Sequence, residues 1–114
     1  MDDFNQRSQA ISKARGEAIK EWEASATKEA EGESAYRKAK AVALLKYRSD
    51  GIAQGEAIIL ANADAASERL DRDVAGVLKV VAREKIALLE RNAATIKEMS
   101  QREIALIKST GEGS

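Results

Sequence analysis

Large apolar and aromatic side chains recur at helical spacing along two long segments of this chain. In the first segment the steps are mostly seven, four or three residues, which places the side chains on one stripe of an α-helix. The positions on this stripe are Phe4, Ile11, Ala18, Trp22, Glu29, Tyr36, Ala43, Leu44 and Tyr47. The second segment carries a broader stripe at Leu70, Val74, Leu78, Val81, Ala82, Ile86, Leu89, Ala93, Ile96, Met99, Ile104 and Ile107. Two long helices are therefore predicted.

One break separates the two segments. Ser49-Asp50-Gly51 is typical of a helix C-terminus, because glycine adopts the left-handed conformation that ends many helices. The densest apolar cluster, Ile58-Ile59-Leu60, follows it and predicts a short helix over residues 54–61. Asn62 and Asp64 are candidates to cap the helix that comes next. The predicted bounds are residues 4–49 for the first arm, 50–63 for the turn segment, 64–109 for the second arm and 110–114 for a flexible tail.

Gly32 leaves two alternatives open in the first arm. An internal glycine costs a helix about 1 kcal/mol relative to alanine, so the arm could break there, with Ser34 capping a new helix. The alternative is one continuous helix, with at most a mild kink. The absence of proline anywhere in the chain favours continuity.

The expected fold is all-α, a single domain built as a long antiparallel helical hairpin with a short helical segment at the turn. Roughly half of the apolar residues are alanine, which buries little area. Two helices side by side would leave much of the broad second stripe exposed. We therefore expect a homo-oligomeric helix bundle, two hairpins forming four helices in the simplest case. The predicted oligomer interface consists of Trp22, Tyr36, Leu78, Leu89, Ile96 and Ile107.

The composition argues against several classes of function. The chain has no histidine and no cysteine, so the commonest general base and the commonest ligands of transition metals are missing. We expect no enzyme activity, no metal and no cofactor. Nineteen basic residues balance nineteen acidic ones, which argues against coating nucleic acid by bulk charge. Without an apolar run of about 20 residues, we expect no membrane partner and a cytoplasmic location.

Several polar residues fall on the apolar stripes. They are Glu29 on the first arm and Lys85, Asn92 and Glu103 on the second. The favoured interpretation is that these turns are half exposed and the long side chains reach water. The alternative is that they set the register, since a buried polar residue penalises wrong alignments of helices. Counting outward from the turn puts Glu29 and Lys85 at similar depth, so they are a candidate ion pair.

A basic block ends the first arm. It has no acidic residue and consists of Arg37, Lys38, Lys40, Lys46 and Arg48. Tyr36 and Tyr47 flank it, and basic residues with interleaved aromatics are found in grooves that bind single-stranded nucleic acid. Both tyrosines lie on the apolar stripe, however, which favours a solvated helix with alternating charge blocks, or blocks that align two subunits head to tail. If the patch binds a partner, we expect a polyanion or an acidic protein. Nucleic acid is thus a weakly supported partner.

Residues 36–103 resemble small helical proteins of tailed bacteriophages that are often encoded among replication and recombination genes. The matching residues are Tyr36-Arg37-Lys38-Ala39-Lys40, Leu44-Leu45-Lys46, Gly51, Arg69, Arg72-Asp73-Val74-Ala75 and Arg102-Glu103. The chain departs from that pattern by lacking a proline after Gly51 and by its long extension before Tyr36. The resemblance implies a phage accessory protein in the host cytoplasm, without a known activity to carry over.

The expected function is that of a non-enzymatic helical interaction protein. It would act through contacts with itself and with a protein partner, and would assist DNA recombination or replication. One alternative is a structural or assembly protein of the virion that forms a ring or layer. Another is an inhibitor of a host enzyme or defence complex.

Overall fold

The computed structural model describes residues 2–112, with the side chains of residues 3–110. Helix α1 spans Asp2–Ser49, α2 spans Gln54–Asp64 and α3 spans Ala66–Glu112. No strand occurs in the described range. The predicted all-α class is confirmed, and α2 is the short helix expected from the apolar cluster after the break.

Helix α1 ends in the motif that its sequence predicts. Gly51 has a φ of +83°, in the left-handed region. The N–H of Ile52 donates to the carbonyl of Tyr47 at 3.1 Å, and the N–H of Gly51 donates to that of Arg48 at 3.1 Å. These two bonds form a Schellman motif, which satisfies carbonyls that the end of a helix leaves without partners. The Arg48 guanidinium also donates to the carbonyl of Ile52 at 2.9 Å.

Both long helices continue past positions at which their sequences allow an end. Helix α1 runs through Gly32 without a break. Helix α3 runs to Glu112, so residues 110–112 are helical rather than part of a flexible tail. Extending an existing helix forms one hydrogen bond for each residue fixed, and the Thr110 hydroxyl donates to the carbonyl of Leu106 at 2.8 Å. Residues 113 and 114 of the predicted tail lie outside the described range.

Almost no chain separates α2 from α3. Ala65 alone lies between them, and its N–H donates to the carbonyl of Ala61 at 3.1 Å. Asn62 and Asp64 are inside α2, so they do not cap α3 as predicted. Their side chains accept hydrogen bonds from two tyrosines of α1 instead.

Contacts divide the chain into two compact units, which are described separately. The turn unit consists of residues 22–81, and the terminal unit consists of residues 1–21 and 82–114. Their buried side chains are all alanines, namely Ala43, Ala57, Ala61, Ala65 and Ala75 in the turn unit and Ala18 and Ala82 in the terminal unit. Among the described side chains, no large one is fully buried. Alanine cores bring helices close together but bury little apolar area.

Across residues 2–112, none of the three helices has a stretch apolar enough, over the necessary length, to span a bilayer.

Candidate interaction surface

In the turn unit, α1 and α3 approach closely at two glycines. A Cβ atom at Gly32 would lie 2.9 Å from the Cα and 3.2 Å from the backbone nitrogen of Arg72. A Cβ atom at Gly76 would lie 2.5 Å from a carboxylate oxygen of Glu29. Glycine is therefore required sterically at Gly32, where the neighbouring atoms are backbone. The predicted weak point of α1 is a point of helix contact.

Ion pairs run along the same seam. Arg72 Nη1 donates to Glu33 Oε2 at 2.6 Å, and Lys79 Nζ donates to Glu29 Oε1 at 2.6 Å. All four side chains are about one-third exposed or less. Moving back along α1 from Glu33 to Glu29 moves forward along α3 from Arg72 to Lys79. The two helices are therefore antiparallel within this unit.

Glu33 is the most heavily bonded acid of the seam. It accepts hydrogen bonds from Arg72 at 2.6 Å and from Arg37 at 2.8 Å. These two donors, Arg72 first, hold the pKa of the Glu33 carboxyl below its ordinary value of 4.5. In return, the hydrogen bond with Glu33 and a weaker one with Asp73 raise the pKa of Arg72. Both groups stay charged at neutral pH, so the pair is a fixed part of the seam.

Two tyrosines of α1 hold α2 in place. The Tyr47 hydroxyl donates to Asp64 Oδ2 at 2.6 Å, and this bond raises the pKa of Tyr47. The Tyr36 hydroxyl donates to Asn62 Oδ1 at 3.4 Å. The Arg72 guanidinium lies 4.9 Å from the centre of the Tyr36 ring, within the range of a cation–π interaction. Both rings are half buried and engaged inside the unit.

Helix α3 turns large apolar side chains away from this seam. We call the set the α3 outer face, and it consists of Leu70, Val74, Val77, Leu78 and Val81. Each of them is at least half exposed, and Leu70 and Val77 are 63% exposed. Leu70, Val74, Val77 and Val81 follow one another at steps of four, three and four. Leu78 comes four residues after Val74, so all five lie on one side of the helix. The seam instead uses Arg72, Gly76 and Lys79, from the opposite side.

Two grooves flank the seam and continue the α3 outer face. One is lined by Leu70, Val74 and Leu78 of α3 and by small residues of α1 such as Ala24 and Ala35. The other is lined by Val77, Val80 and Val81 of α3 and by Glu29, Ala30 and Glu33 of α1. Each groove therefore has large apolar residues on its α3 wall and small and charged residues on its α1 wall.

The terminal unit has a similar arrangement of its own. Ala18 and Ala82 are buried, and Arg15 Nη2 donates to Glu90 Oε1 at 2.9 Å. Leu89 and Ile96 are half buried. The exposed large apolar side chains of its α3 segment are Leu88, Met99, Leu106 and Ile107.

The residues predicted to form an oligomer interface fall into three groups. Leu78 and Ile107 are more than half exposed and available to another molecule. Tyr36, Leu89 and Ile96 are half buried within their own units, and Tyr36 is bonded to α2. Trp22 is 37% exposed. Whether these six residues contact a second copy remains a prediction.

The predicted ion pair between Glu29 and Lys85 is wrong. Glu29 binds Lys79 in the turn unit, and Lys85 lies 3.7 Å from Glu21 in the terminal unit. Glu29 and Lys85 would lie at the same depth only if the start of α3 lay beside Ser49, the end of α1. However, Arg72 lies opposite Glu33, so Ala66 lies well short of Ser49, because the last turns of α1 are occupied by α2. The side chains of Lys85, Asn92 and Glu103 are exposed, so none of them sets the helix register as a buried polar residue within the chain.

The predicted basic patch is largely solvated. Arg37 pairs with Glu33, Arg48 bonds to the break, and Lys40 Nζ lies 6.0 Å from the centre of the Tyr36 ring. Lys38 and Lys46 are exposed. Since Tyr36 and Tyr47 are engaged with α2, neither is presented for stacking on a base.

Sequence reasoning missed the true seam residues of α3. It followed the large apolar stripe, whereas α1 packs against the side that carries Arg72, Gly76 and Lys79. The sequence signal for this side is the spacing of Arg72, Gly76 and Lys79, which follow one another at steps of four and three on one helix face.

Comparison with known proteins adds no identity. No family model, no curated protein and no solved structure matches this chain. Among residues 2–112, no three acidic side chains are grouped closely enough to hold a metal ion.

Proposed function

We propose that this chain is a non-enzymatic helical interaction protein that folds as a long antiparallel hairpin and assembles with copies of itself through the α3 outer face. The observation that carries the proposal is the orientation of α3. Its large apolar side chains point away from α1, and the seam is closed by glycines and ion pairs. Antiparallel contacts within each unit support the hairpin.

The size of the face supports an assembly that depends on concentration. Full burial of a valine or leucine side chain contributes about 1.5–3 kcal/mol, and these five are already half buried, so about 1 kcal/mol remains for each. Two copies of the face would then contribute about 10 kcal/mol. Association costs about 4–15 kcal/mol in lost freedom, so gain and cost are comparable. We expect reversible association.

The self-association is tested by measuring mass in solution over a range of concentrations. The test variant carries Val77→Asp and Leu78→Asp on the α3 outer face. Ile59→Asp is the control, because Ile59 is 69% exposed on α2 and is not one of the five residues of that face. We expect the mass of the parent and of the control to rise with concentration, and the double variant to have a lower mass than the parent at each concentration, with unchanged helix content.

Two outcomes would contradict the proposal. A parent that stays monomeric at high concentration would show that the face does not bind a second copy. A double variant with the parent's mass would place the interface elsewhere. If the parent forms a large closed ring or a filament, the result would favour a virion assembly protein over an interaction protein that forms a small oligomer.

The wider role follows the resemblance to small phage proteins. We propose a phage accessory protein in the host cytoplasm that binds a protein partner and assists DNA recombination or replication. The basic patch supports an acidic protein partner more than nucleic acid, since both neighbouring tyrosines already bind α2. Salt-sensitive binding to single-stranded DNA, lost on replacing Arg37, Lys38 and Lys40 together, would reverse that preference.

A further inference from the structure

Helix α1 carries an exposed stripe that does not take part in the seam with α3, although Ala24, Glu31 and Ala35 also border one of the grooves beside that seam. Within the turn unit its positions are Ala24, Thr27, Glu31, Ser34, Ala35, Lys38, Val42 and Leu45. We call this stripe the α1 outer face. Val42 is 59% and Leu45 is 71% exposed, although both are large apolar side chains. Nothing in the packing of the turn unit accounts for them.

The spacing of this stripe is symmetric about its middle. From Ser34 backward the steps are three, four and three, and from Ala35 forward they are again three, four and three. Alternating steps of three and four are the pattern of a helix seam that faces one partner helix. A palindromic spacing allows the stripe to face an identical stripe that runs in the opposite direction. A twofold axis would then pass between Ser34 and Ala35.

Size and charge are complementary in that arrangement. Leu45 lies opposite the partner's Ala24, and Val42 lies opposite the partner's Thr27, so each large side chain meets a small one. Glu31 lies opposite the partner's Lys38. Small residues at the axis, Ser34 and Ala35, allow the two helices to approach closely.

The charges also select the direction. Within the described part of the chain, neither Glu31 nor Lys38 has an ion-pair partner. In a parallel pair, Glu31 would face the partner's Glu31, and Lys38 would face the partner's Lys38. Both contacts would bring like charges together and would be repulsive. In the antiparallel pair both find opposite charges, and charges beside a helix seam set partner orientation in this way. The same face carries both an acidic and a basic side chain. A polyanion bound there would be repelled by Glu31, close to Lys38.

We infer that the α1 outer face binds the α1 outer face of a second copy of this chain, antiparallel, with the twofold axis between Ser34 and Ala35. This inference adds a second surface to the proposed self-association and rests on it only in taking the partner to be a second copy. A molecule with two self-complementary faces either closes as a symmetric oligomer or grows as an open assembly.

Single cysteines test the register directly, because the chain has none of its own. Ser34→Cys lies at the axis, so we expect mild oxidation to produce a disulfide-linked dimer. Thr27→Cys is the matched control. In this register it lies about 22 Å along the helix from its own copy, at 1.5 Å per residue, and should form no disulfide-linked dimer. Mixing Thr27→Cys with Val42→Cys should produce a cross-linked heterodimer.

A charge exchange tests the same contact without oxidation. Lys38→Glu places like charges opposite each other and should abolish the Ser34→Cys cross-link. Adding Glu31→Lys restores opposite charges and should restore the cross-link. A general loss of folding would not be rescued by a second charge reversal.

Three results would overturn the inference. A cross-link through Thr27→Cys alone would indicate parallel pairing. No cross-link through Ser34→Cys would mean that this face does not bind itself. Failure of Glu31→Lys to rescue Lys38→Glu would remove the charge argument. The cross-link reports on α1 and the mass of the Val77→Asp, Leu78→Asp variant reports on α3, so each proposal can fail alone.

Discussion

Replacing Gly32 with alanine tests how closely α1 and α3 pack. In an open helix interior, the change would stabilise the protein by about 1 kcal/mol, because alanine has the higher helix propensity. At Gly32 the new Cβ atom would meet Arg72 Cα at 2.9 Å and Arg72 Cβ at 3.1 Å. Neither atom can move aside without moving α3. Overpacking costs about 1–3 kcal/mol, and contacts to backbone belong in the upper part of that range. We expect a net loss of about 1–2 kcal/mol after the gain in helix propensity.

Gly16 provides the matched control on the same helix. A Cβ atom built there has nothing within 4 Å, so Gly16→Ala should show the gain in helix propensity alone. The assay is urea unfolding followed by circular dichroism, at one protein concentration and with the mass checked for each variant. Gly16→Ala should raise the midpoint and Gly32→Ala should lower it. If Gly32→Ala were as stable as Gly16→Ala, the close approach of α1 and α3 at Arg72 would be refuted.

Two predictions concern pH. The pKa of Glu33 is lowered in the folded state by Arg72 and Arg37, so its contribution to stability is complete above the ordinary value of 4.5 and is lost as pH falls through the lower folded pKa. Glu33→Gln should therefore flatten the acid limb of stability against pH, and an unchanged acid limb would contradict this. The pKa of Tyr47 is raised above 10.0 by its bond to Asp64, so its contribution is complete below that pH and is lost as pH rises through the folded pKa. Absorbance titration should show a late-titrating tyrosine that disappears in Tyr47→Phe, whereas a late-titrating tyrosine that persists in Tyr47→Phe would contradict this assignment.

Much of the secondary structure could be read from the sequence. Helical spacing without proline predicted α1 and α3, and Ser49-Asp50-Gly51 predicted the end of α1. These features depend on local chemistry, since a helix needs only neighbouring backbone groups and glycine alone reaches the left-handed φ without strain. The end of α3 was harder to predict, because the free energies of a helix that stops and of one that continues for a few residues differ little.

The candidate surfaces were less predictable. The sequence marked α3 as broadly apolar, but which side would face α1 depended on how closely the backbones approach. Helix α1 packs against the side of α3 where small residues allow a close approach, with Gly32 against Arg72 and Gly76 against Glu29. Large side chains at that seam would have forced the helices apart. The ion pair expected between Glu29 and Lys85 failed for a related reason, because α2 packs beside the last turns of α1 and shifts the register of α3.

The sequence by itself determined that the chain is helical, where α1 ends and that large apolar residues exceed what two helices can cover. All three follow from residue type and spacing along one helix. Only the tertiary structure decided that Glu33 meets Arg72, that Tyr36 and Tyr47 bind α2, and that Leu70, Val77 and Leu78 remain exposed. Register between helices depends on the relative position of distant residues. Local spacing cannot specify that position, and the contact at Gly32 does.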